Sequence, residues 1–545
     1  MKTTKYIIGL LVLAATAFTA CTKEENSVIS ENKEVTLVTT LSPTPGISTK
    51  TVMNETSDGT ISTTWEVNDK IWVKYINTSD AEVEAQATVT AVDGESGNAT
   101  ISVTMTDPKD ATSITFGFPY NYWNDDKDLK TGQVGTLANI KDNYAASSGT
   151  GTLTVVGEKA TLPTGVTMTP SICIWKLSFT DGSTNITSSI TKLTILVGSE
   201  KYVITPSSLS NIYVAISGSA TPKFVNITAT TASGTYMREK SGVALVSGNF
   251  YRTYALALNK VYYFSIGSTK RVIFAPGNLQ ATYSTSTQKW TWHFAEHQYD
   301  YIGNVGGNKL INTPTKEATE PYAKLSADGT VDLFGWSSEA TYYGIASSEQ
   351  SWNPSPNDYT GDFIDWGTID IDGKGAGYWR TMSCNNDNNK MEWYYLMKTR
   401  SGSTINGVEN ARYTLATINT DGTPVNGMIL FPDNYSGPTT STSGITFGDK
   451  INVNGKYDGW GGTSCTVAGW AILESVGCVF LPAAGERNGT TVDFNYNCYA
   501  SKTNNGVWGW YLVKFSSVTS QYNVYWNLTH YRKTGVSVRL VHEID

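Results

Sequence analysis

The 545-residue sequence predicts a mostly β N-terminal region followed by an α+β C-terminal domain. Three observations carry that expectation. Up to about residue 260 the chain runs in short apolar–polar alternations rich in Thr and Val, broken by turns such as Asp58-Gly59, Asp93-Gly94 and Gly97-Asn98. A period of two with such turns signals antiparallel strands packed as sandwiches. Tryptophan is unevenly spread: Trp65, Trp72, Trp123 and Trp175 precede residue 260, and the other 12 of 16 lie between Trp290 and Trp526. In residues 389–400, Met391, Tyr394 or Tyr395, and Met397–Lys398 recur at the 3–4 spacing of a helix. Aromatics make up 12 % of the chain and charged residues 16 %, so the chain is not disordered and can bury large cores. Lys plus Arg total 40 against 48 Asp plus Glu, a formal charge of −8, which excludes a globally basic nucleic-acid binder.

At the N-terminus, Lys2 and Lys5 precede an apolar run from Tyr6 to Ala20, the pattern of a signal peptide over residues 1–20. Ala17-Phe18-Thr19-Ala20-Cys21 resembles a lipobox, with Phe18 where Leu is usual. The resemblance implies cleavage before Cys21 and acylation of its thiol. Lys23-Glu24-Glu25 resembles the surface-export signal of some Gram-negative lipoproteins. Losing residues 1–20 removes Lys2 and Lys5 and takes the charge from −8 to −10. A lipid-anchored, surface-exposed protein at the outer membrane is expected, since acyl chains anchor without spanning. The other cysteines, Cys173, Cys384, Cys465, Cys478 and Cys498, form no CxxC pair. They read either as small buried hydrophobes or, for the last four, as carrying a bridge.

Residues 21–45 are polar with Pro43 and Pro45 and read as a tether. Alternating runs include Val35–Val38, Ile71–Tyr75, Ala87–Val92 and Ile101–Met105, and a first β domain is assigned over 46–150. A second, over 151–262, contains Ile172–Leu177, Leu193–Val197, Tyr213–Ile216 and Phe250–Leu258. The run Thr64-Trp65-Glu66-Val67-Asn68-Asp69-Lys70-Ile71-Trp72-Val73, then Gln133-Val134-Gly135-Thr136-Leu137, Asn211–Ile216 and Gly248–Tyr251, resemble in this order the fimbrillin family of lipoprotein pilins. That resemblance implies two β-sandwich domains and a stalk, anchor or tip subunit of a pilus, polymerised by strand exchange after cleavage at an early Arg. No Arg precedes Arg238, and Lys50 is the nearest basic substitute. A tip-type subunit or a surface lipoprotein on the same scaffold fits better than a processed stalk subunit.

Residues 263–545 open with Lys270–Gln280 and carry Asp332–Trp336, Tyr378–Met382, Glu392–Leu396, Asn426–Asp433, Val479–Arg487 and Gly535–Val541. In this order they resemble a bacterial C-type-lectin-like domain related in fold to the formylglycine-generating-enzyme family, which implies a small mixed sheet with two helices and long loops. Eleven of the 38 residues from Phe494 to Tyr531 are aromatic. Such a run supplies large rigid contact area at small entropic cost and stacks on sugar rings. The expected ligand-binding residues are Tyr499, Lys502, Trp508, Trp510, Lys514, Tyr522, Tyr525, Trp526, His530 and Tyr531, with about half the rings of the run in the core. The partner would be a glycan or protein ligand on another cell or matrix, besides other pilus subunits. The stretch Tyr499–Thr534 before the closing Gly-Val-Ser-Val-Arg-Leu-Val also resembles the variable proteins of diversity-generating retroelements.

Enzyme chemistry finds little local support, and no cofactor or metal is expected. His293-Phe294-Ala295-Glu296-His297 matches H-x-x-E-H in letters. It sits in a strand-like alternation, which sets its histidines about 13 Å apart. The cysteines are not placed as a formylglycine-generating pair, and Asp370-Ile371-Asp372-Gly373 is a fragment of a calcium loop. Asp362, Asp365, Glu474 and Glu486 would serve a glycosidase only if the fold paired them. An enzyme on the same fold and a purely structural pilus subunit are the alternatives to an adhesin.

Overall fold

The computed structural model describes residues 34–43, 52–55, 61–156, 159–163, 165–309, 325–339, 342–345, 361–384, 392–449, 451, 462–494, 497–505, 509–515 and 524–544. Cys21 and the expected lipobox lie outside them. The chain is mostly β and divides into two compact units, Met1–Asn259 and Lys260–Asp545.

The first unit begins with β1 (Glu34–Pro43), β2 (Val52–Glu55), β3 (Ile61–Thr64), β4 (Lys70–Ile76), β5 (Glu82–Val92), β6 (Ala99–Thr106), β7 (Thr112–Phe118), β8 (Ser147–Val156), β9 (Lys159–Thr161) and β10 (Val166–Pro170). Strand order is β10-β1-β6-β5-β4-β7-β8-β9, and β10 also pairs with β8. Seven strands therefore close into a ring, so the expected first β domain takes the form of a closed barrel. Its alternation is the sequence's own: Ala99, Ile101, Val103 and Met105 of β6 are buried, with half-buried or exposed residues between them. Two expectations are corrected. Residues 34–43, read as tether, form β1, which pairs antiparallel with β6 from Glu34↔Thr106 to Leu41↔Ala99 and parallel with β10 at Leu41↔Val166. The boundary at 150/151 cuts through β8, because the barrel needs β10 to meet Ser148 at Thr169. The tryptophan phrase has a local cause. Asn68 sits at φ 79°, and the Asp69 carboxylate accepts the Glu66 N–H at 2.8 Å, making the turn that feeds β4. Trp65 packs inside, edge-on to Phe118.

The second half of this unit is a two-sheet sandwich of β11 (Ile172–Asp181), β12 (Thr184–Asn185), β13 (Ile190–Val197), β14 (Glu200–Ile204), β15 (Ile212–Ser217), β16 (Ser219–Thr231), β17 (Gly234–Leu245) and β18 (Phe250–Ala257). One sheet gathers β12, β15 and β18 around β11; the other runs β14-β13-β16-β17. Between β7 and β8 the chain forms α1 (Tyr120–Asn124) and α2 (Leu137–Asn143). Ile140, Leu129 and Tyr144 from this crossing, with Ile61, join the sandwich core. Gln133 fixes the crossing. Its amide donates to the Ala215 carbonyl and accepts the Ala215 N–H, both at 2.8 Å, and donates to Leu129. Gly135 follows at φ +80°, where a Cβ would stand 3.0 Å from Ile212. Thr136 caps α2 through the Asn139 N–H.

The second unit holds two five-stranded sheets. Its main strands are β19 (Leu333–Phe334), β20 (Tyr413–Thr420), β21 (Thr423–Leu430), β22 (Ile445–Thr446), β23 (Thr463–Thr466), β24 (Val479–Pro482), β25 (Asn497–Asn505), β26 (Gly509–Phe515), β27 (Val524–Tyr531) and β28 (Val536–Ser537). The central sheet, β22-β23-β20-β21-β24, is buried on both faces. Leu415, Met428, Leu430 and Leu481 enter one core with Trp393 and Leu396, while Ile418, Ile429 and Phe480 enter another with Trp470. That is why Met428–Phe431 and Val479–Leu481 are continuous apolar runs. Two helical segments flank the sheet. α3 (Glu392–Tyr394) passes into a π turn over Tyr395–Thr399, a shorter and wider form of the helix expected over 389–400, and α4 is Val467–Ser475, capped by Thr466. Arg400, fully buried, donates to Asp433 and to the carbonyls of Leu396, Phe431 and Arg412; burial lowers its pKa to about 10. The five cysteines outside the lipobox are all buried, and no disulfide joins them. Burial pushes Cys173, Cys384 and Cys465 up to about 12. Among the described residues no helix is long and apolar enough to cross a membrane.

Two stability measurements follow from these contacts. Gln133→Ala strands the N–H and C=O of Ala215 in the core and is expected to lower the unfolding free energy by about 2–4 kcal/mol in urea titration; an unchanged midpoint would refute the tie. Burial raises the Asp69 carboxyl to about 6, with Glu66 adding to the rise and the Glu66 N–H and Lys141 opposing it. A raised folded pKa means this contribution is full below pH 4 and lost as pH climbs toward 6. Asp69→Asn should therefore gain stability over wild type, on the order of 1–3 kcal/mol at pH 7, with the gain vanishing near pH 4.

Candidate functional site

The aromatic run falls on β25, β26 and β27, the outer strands of the sheet ordered β19-β28-β25-β26-β27. Trp510, Lys514, Tyr525, Trp526 and His530 are placed by strand register. Trp510 stands opposite His530 and also opposite Asn504; Lys514 stands opposite Tyr525 and Cys498. Cross-strand partners share one face of a sheet, so residues distant in sequence become neighbours on the two outermost strands. Two register slips shape this surface. Between Ala500 and Asn504, β25 bulges against β26 through residues 501–503; between Leu512 and Lys514, β27 carries the extra residue, next to Trp526. Bulges twist an edge and re-aim side chains. β27 is the terminal strand of the sheet among the described residues.

The β25 bulge is anchored from behind. The Lys502 N–H donates to the Met382 carbonyl at 3.1 Å and the Cys384 N–H to the Thr503 hydroxyl at 3.0 Å. Lys502 is exposed. At the far end of β27, Tyr531 is 37 % exposed and the Lys533 ammonium lies 6.0 Å from its ring centre, although Lys533 is itself buried. Arg532 lies over Trp336 at 4.3 Å and donates to the Gly361 carbonyl, fastening the strand end to that loop. Sequence reading passed over Arg532, because its partners are more than 150 positions away and leave no local signal.

One expected contact residue is corrected. Tyr499 has no exposed surface. It pairs with buried Val513, donates its hydroxyl to the Pro482 carbonyl at 3.0 Å and accepts from the Asn278 amide at 3.2 Å. Burial raises its hydroxyl pKa. Tyr499 therefore fixes β25 on the core and touches no ligand. Trp508 and Tyr522 lie outside the described residues.

The groups weighed for catalysis have other occupations. His293, on the strand Lys289–Phe294, bonds Thr282 and the Phe294 carbonyl; His297 bonds Asp300. His542 stacks on Tyr378 with ring centres 3.8 Å apart. Asp365 caps the turn at Gly367 and receives the N–H and hydroxyl of Thr381, while Glu474 receives the Gln298 amide. The Asp370 carboxylate closes its own loop on the Gly375 N–H. Among the described residues no three His, Cys, Asp or Glu side chains gather as metal ligands.

No family model and no curated protein matches the chain. Among solved structures, a fimbrial assembly protein from Parabacteroides distasonis is 10 % identical over 48 % of this chain and 100 % of its own, with a TM-score of 0.26. A protein provisionally named for cell adhesion from Bacteroides ovatus is 11 % identical over 42 % of this chain and 96 % of its own, at 0.24. Another so named from Parabacteroides distasonis is 10 % identical over 42 % of this chain and 90 % of its own, at 0.23. At scores this low the likeness bears no weight, and the functional reading rests on the chain's own geometry.

Stability and binding should separate at Tyr499 and Lys502. Tyr499→Phe is expected to cost about 1–2 kcal/mol through the orphaned Pro482 and Asn278 groups. Lys502→Ala should stay within about 0.5 kcal/mol of wild type in thermal unfolding. A neutral Tyr499→Phe would overturn the core assignment.

Proposed function

We propose that the chain is a cell-surface lipoprotein, an adhesin or tip-type pilus subunit, whose first unit is the scaffold and whose second unit carries the ligand-binding surface. One observation supports this most: the register of β26 and β27 sets Trp510 beside His530 and Lys514 beside Tyr525 at the outer end of a sheet. Aromatic, amide and cationic residues at paired register positions suit a glycan ring or a protein patch, bound by stacking and hydrogen bonds with no bond chemistry. The lipid anchor at Cys21, the outer-membrane location and the lectin-like character of residues 263–545 belong to the same proposal, as does diversification of Tyr499–Thr534 by a retroelement.

A structural pilus subunit is the second reading, favoured by β1. This strand is held between β6 and β10. Its removal after cleavage at Lys50 would leave two unpaired edges able to accept a strand from another subunit.

The mature chain on glycan and protein arrays distinguishes these readings. Saturable binding, reduced at least tenfold by Trp510→Ala with His530→Ala while the melting temperature holds, is the adhesin outcome. Absence of any ligand together with co-purification in pili, lost in Lys50→Ala, which keeps β1 in place, is the structural outcome. Coding sequences from sister isolates test diversification: substitutions confined to 499–534 agree with it, and a uniform stretch rejects it.

A further inference from the structure

Away from the aromatic strands, a cavity of about 240 Å³ opens in the sandwich of the first unit, between β17 and β18. Its floor is apolar. Trp175, Val225, Ile227 and Leu245 line it and are no more than 7 % exposed. Leu256 stands half-buried in the wall. An apolar cavity of roughly 150 Å³ accepts a benzene ring, so this one accommodates a larger aromatic system or a short acyl chain.

The mouth is cationic, by an unusual route. Register pairs Ile227 with Arg238 and Val225 with Lys240. Partners share a face, so both cations occupy positions of β17 that face the interior, where a sandwich strand calls for apolar residues. Two residues earlier the rule is obeyed: Tyr236, opposite Ala229, is buried. The inner face of β17 thus changes from aromatic to cationic where the cavity begins. Glu239 also lines the cavity, between the two cations in sequence. Glu239 alternates to the other face, where it stands opposite Asn226 and takes its amide at 3.2 Å. Arg238 spends one donor on the Ala257 carbonyl, 3.0 Å away across the mouth. A guanidinium keeps four more.

We infer that this cavity binds an amphipathic carboxylate, with its apolar part on Trp175, Ile227 and Leu245 and its carboxylate between Arg238 and Lys240. An apolar floor supplies affinity without orientation; an arginine fork beside an ammonium supplies the orientation and selects an anion. Size and charge together fit a medium-chain fatty acid or an aromatic acid, two sources of one chemistry.

Isothermal titration of the full mature chain tests this with sodium octanoate, sodium indole-3-acetate and neutral 1-octanol. One-to-one binding of either carboxylate, at least tenfold tighter than octanol and weakened by added salt, is the expected result; whichever acid binds better identifies the source. Arg238→Ala with Lys240→Ala should lose at least tenfold in carboxylate affinity. Lys109→Ala, the same kind of charge removal on the barrel, should change nothing. Leu256→Trp fills the cavity and should abolish binding. The two exposed cations can be removed without touching the core, so circular dichroism of that double variant keeps the test valid even if Leu256→Trp misfolds. Failure of both carboxylates to saturate, equal affinity for octanol, or wild-type affinity in the double variant overturns the inference. None of these outcomes depends on the array results for the second unit.

Discussion

The first unit depends on a side chain imitating a backbone. Gln133 offers Ala215 the donor and acceptor that a neighbouring strand would offer. It does so from a crossing that begins and ends in the barrel. Because the amide is 1 % exposed, its hydrogen bonds carry the full penalty of being unmade. The crossing therefore stays seated, and Leu129, Ile140 and Tyr144 complete the sandwich core. A second tie works alike: Glu55 accepts Lys176 at 2.6 Å and Tyr213 at 2.7 Å. Burial alone would raise its carboxyl, yet these partners hold it below its ordinary value. Barrel and sandwich consequently form one compact unit, although each has a core of its own.

Strand identity was legible because it is local. The alternations at Ile71, Ile101, Ile172 and Leu193 became β4, β6, β11 and β13. Closure was not legible, because it rests on pairings of distant segments. Whether β10 meets β1 and β8 is decided at Leu41↔Val166 and Thr169↔Ser148, and no local pattern separates a closed barrel from two facing sheets. β1 was legible only in part: Val35–Val38 alternates like a strand, but the polar stretches around it gave 21–45 the look of a tether. In the second unit, β21 and β24 offered no alternation, because both faces of their sheet are buried.

The candidate surface was legible in composition and not in orientation. Tyr499 belongs to the same aromatic run as Tyr531, yet one is sealed and the other 37 % exposed. What separates them is the partner strand: Tyr499 faces Val513 in the core, while Tyr531 ends the terminal strand. The slips at 501–503 and beside Trp526 also break the simple alternation along β25 and β27. The Arg238 and Lys240 pair had a signal that went unread. Alternate cations on a strand whose preceding inward residue is Tyr236 are a period-2 pattern with the wrong chemistry.

That wrong chemistry has a competing explanation. Inward-pointing charges are one device by which strands near a sheet edge resist pairing with another chain. Edge protection, however, requires only that the cation be costly to bury; it is indifferent to what lies behind. Here a cavity opens behind, its floor is Trp175, Val225 and Ile227, and Arg238 is already tied to Ala257. A protein that needed only to guard this strand could have filled the interior with one larger side chain, because unfilled apolar volume is destabilising. An apolar cavity behind two cations suits an occupant that brings an apolar body and a negative charge together.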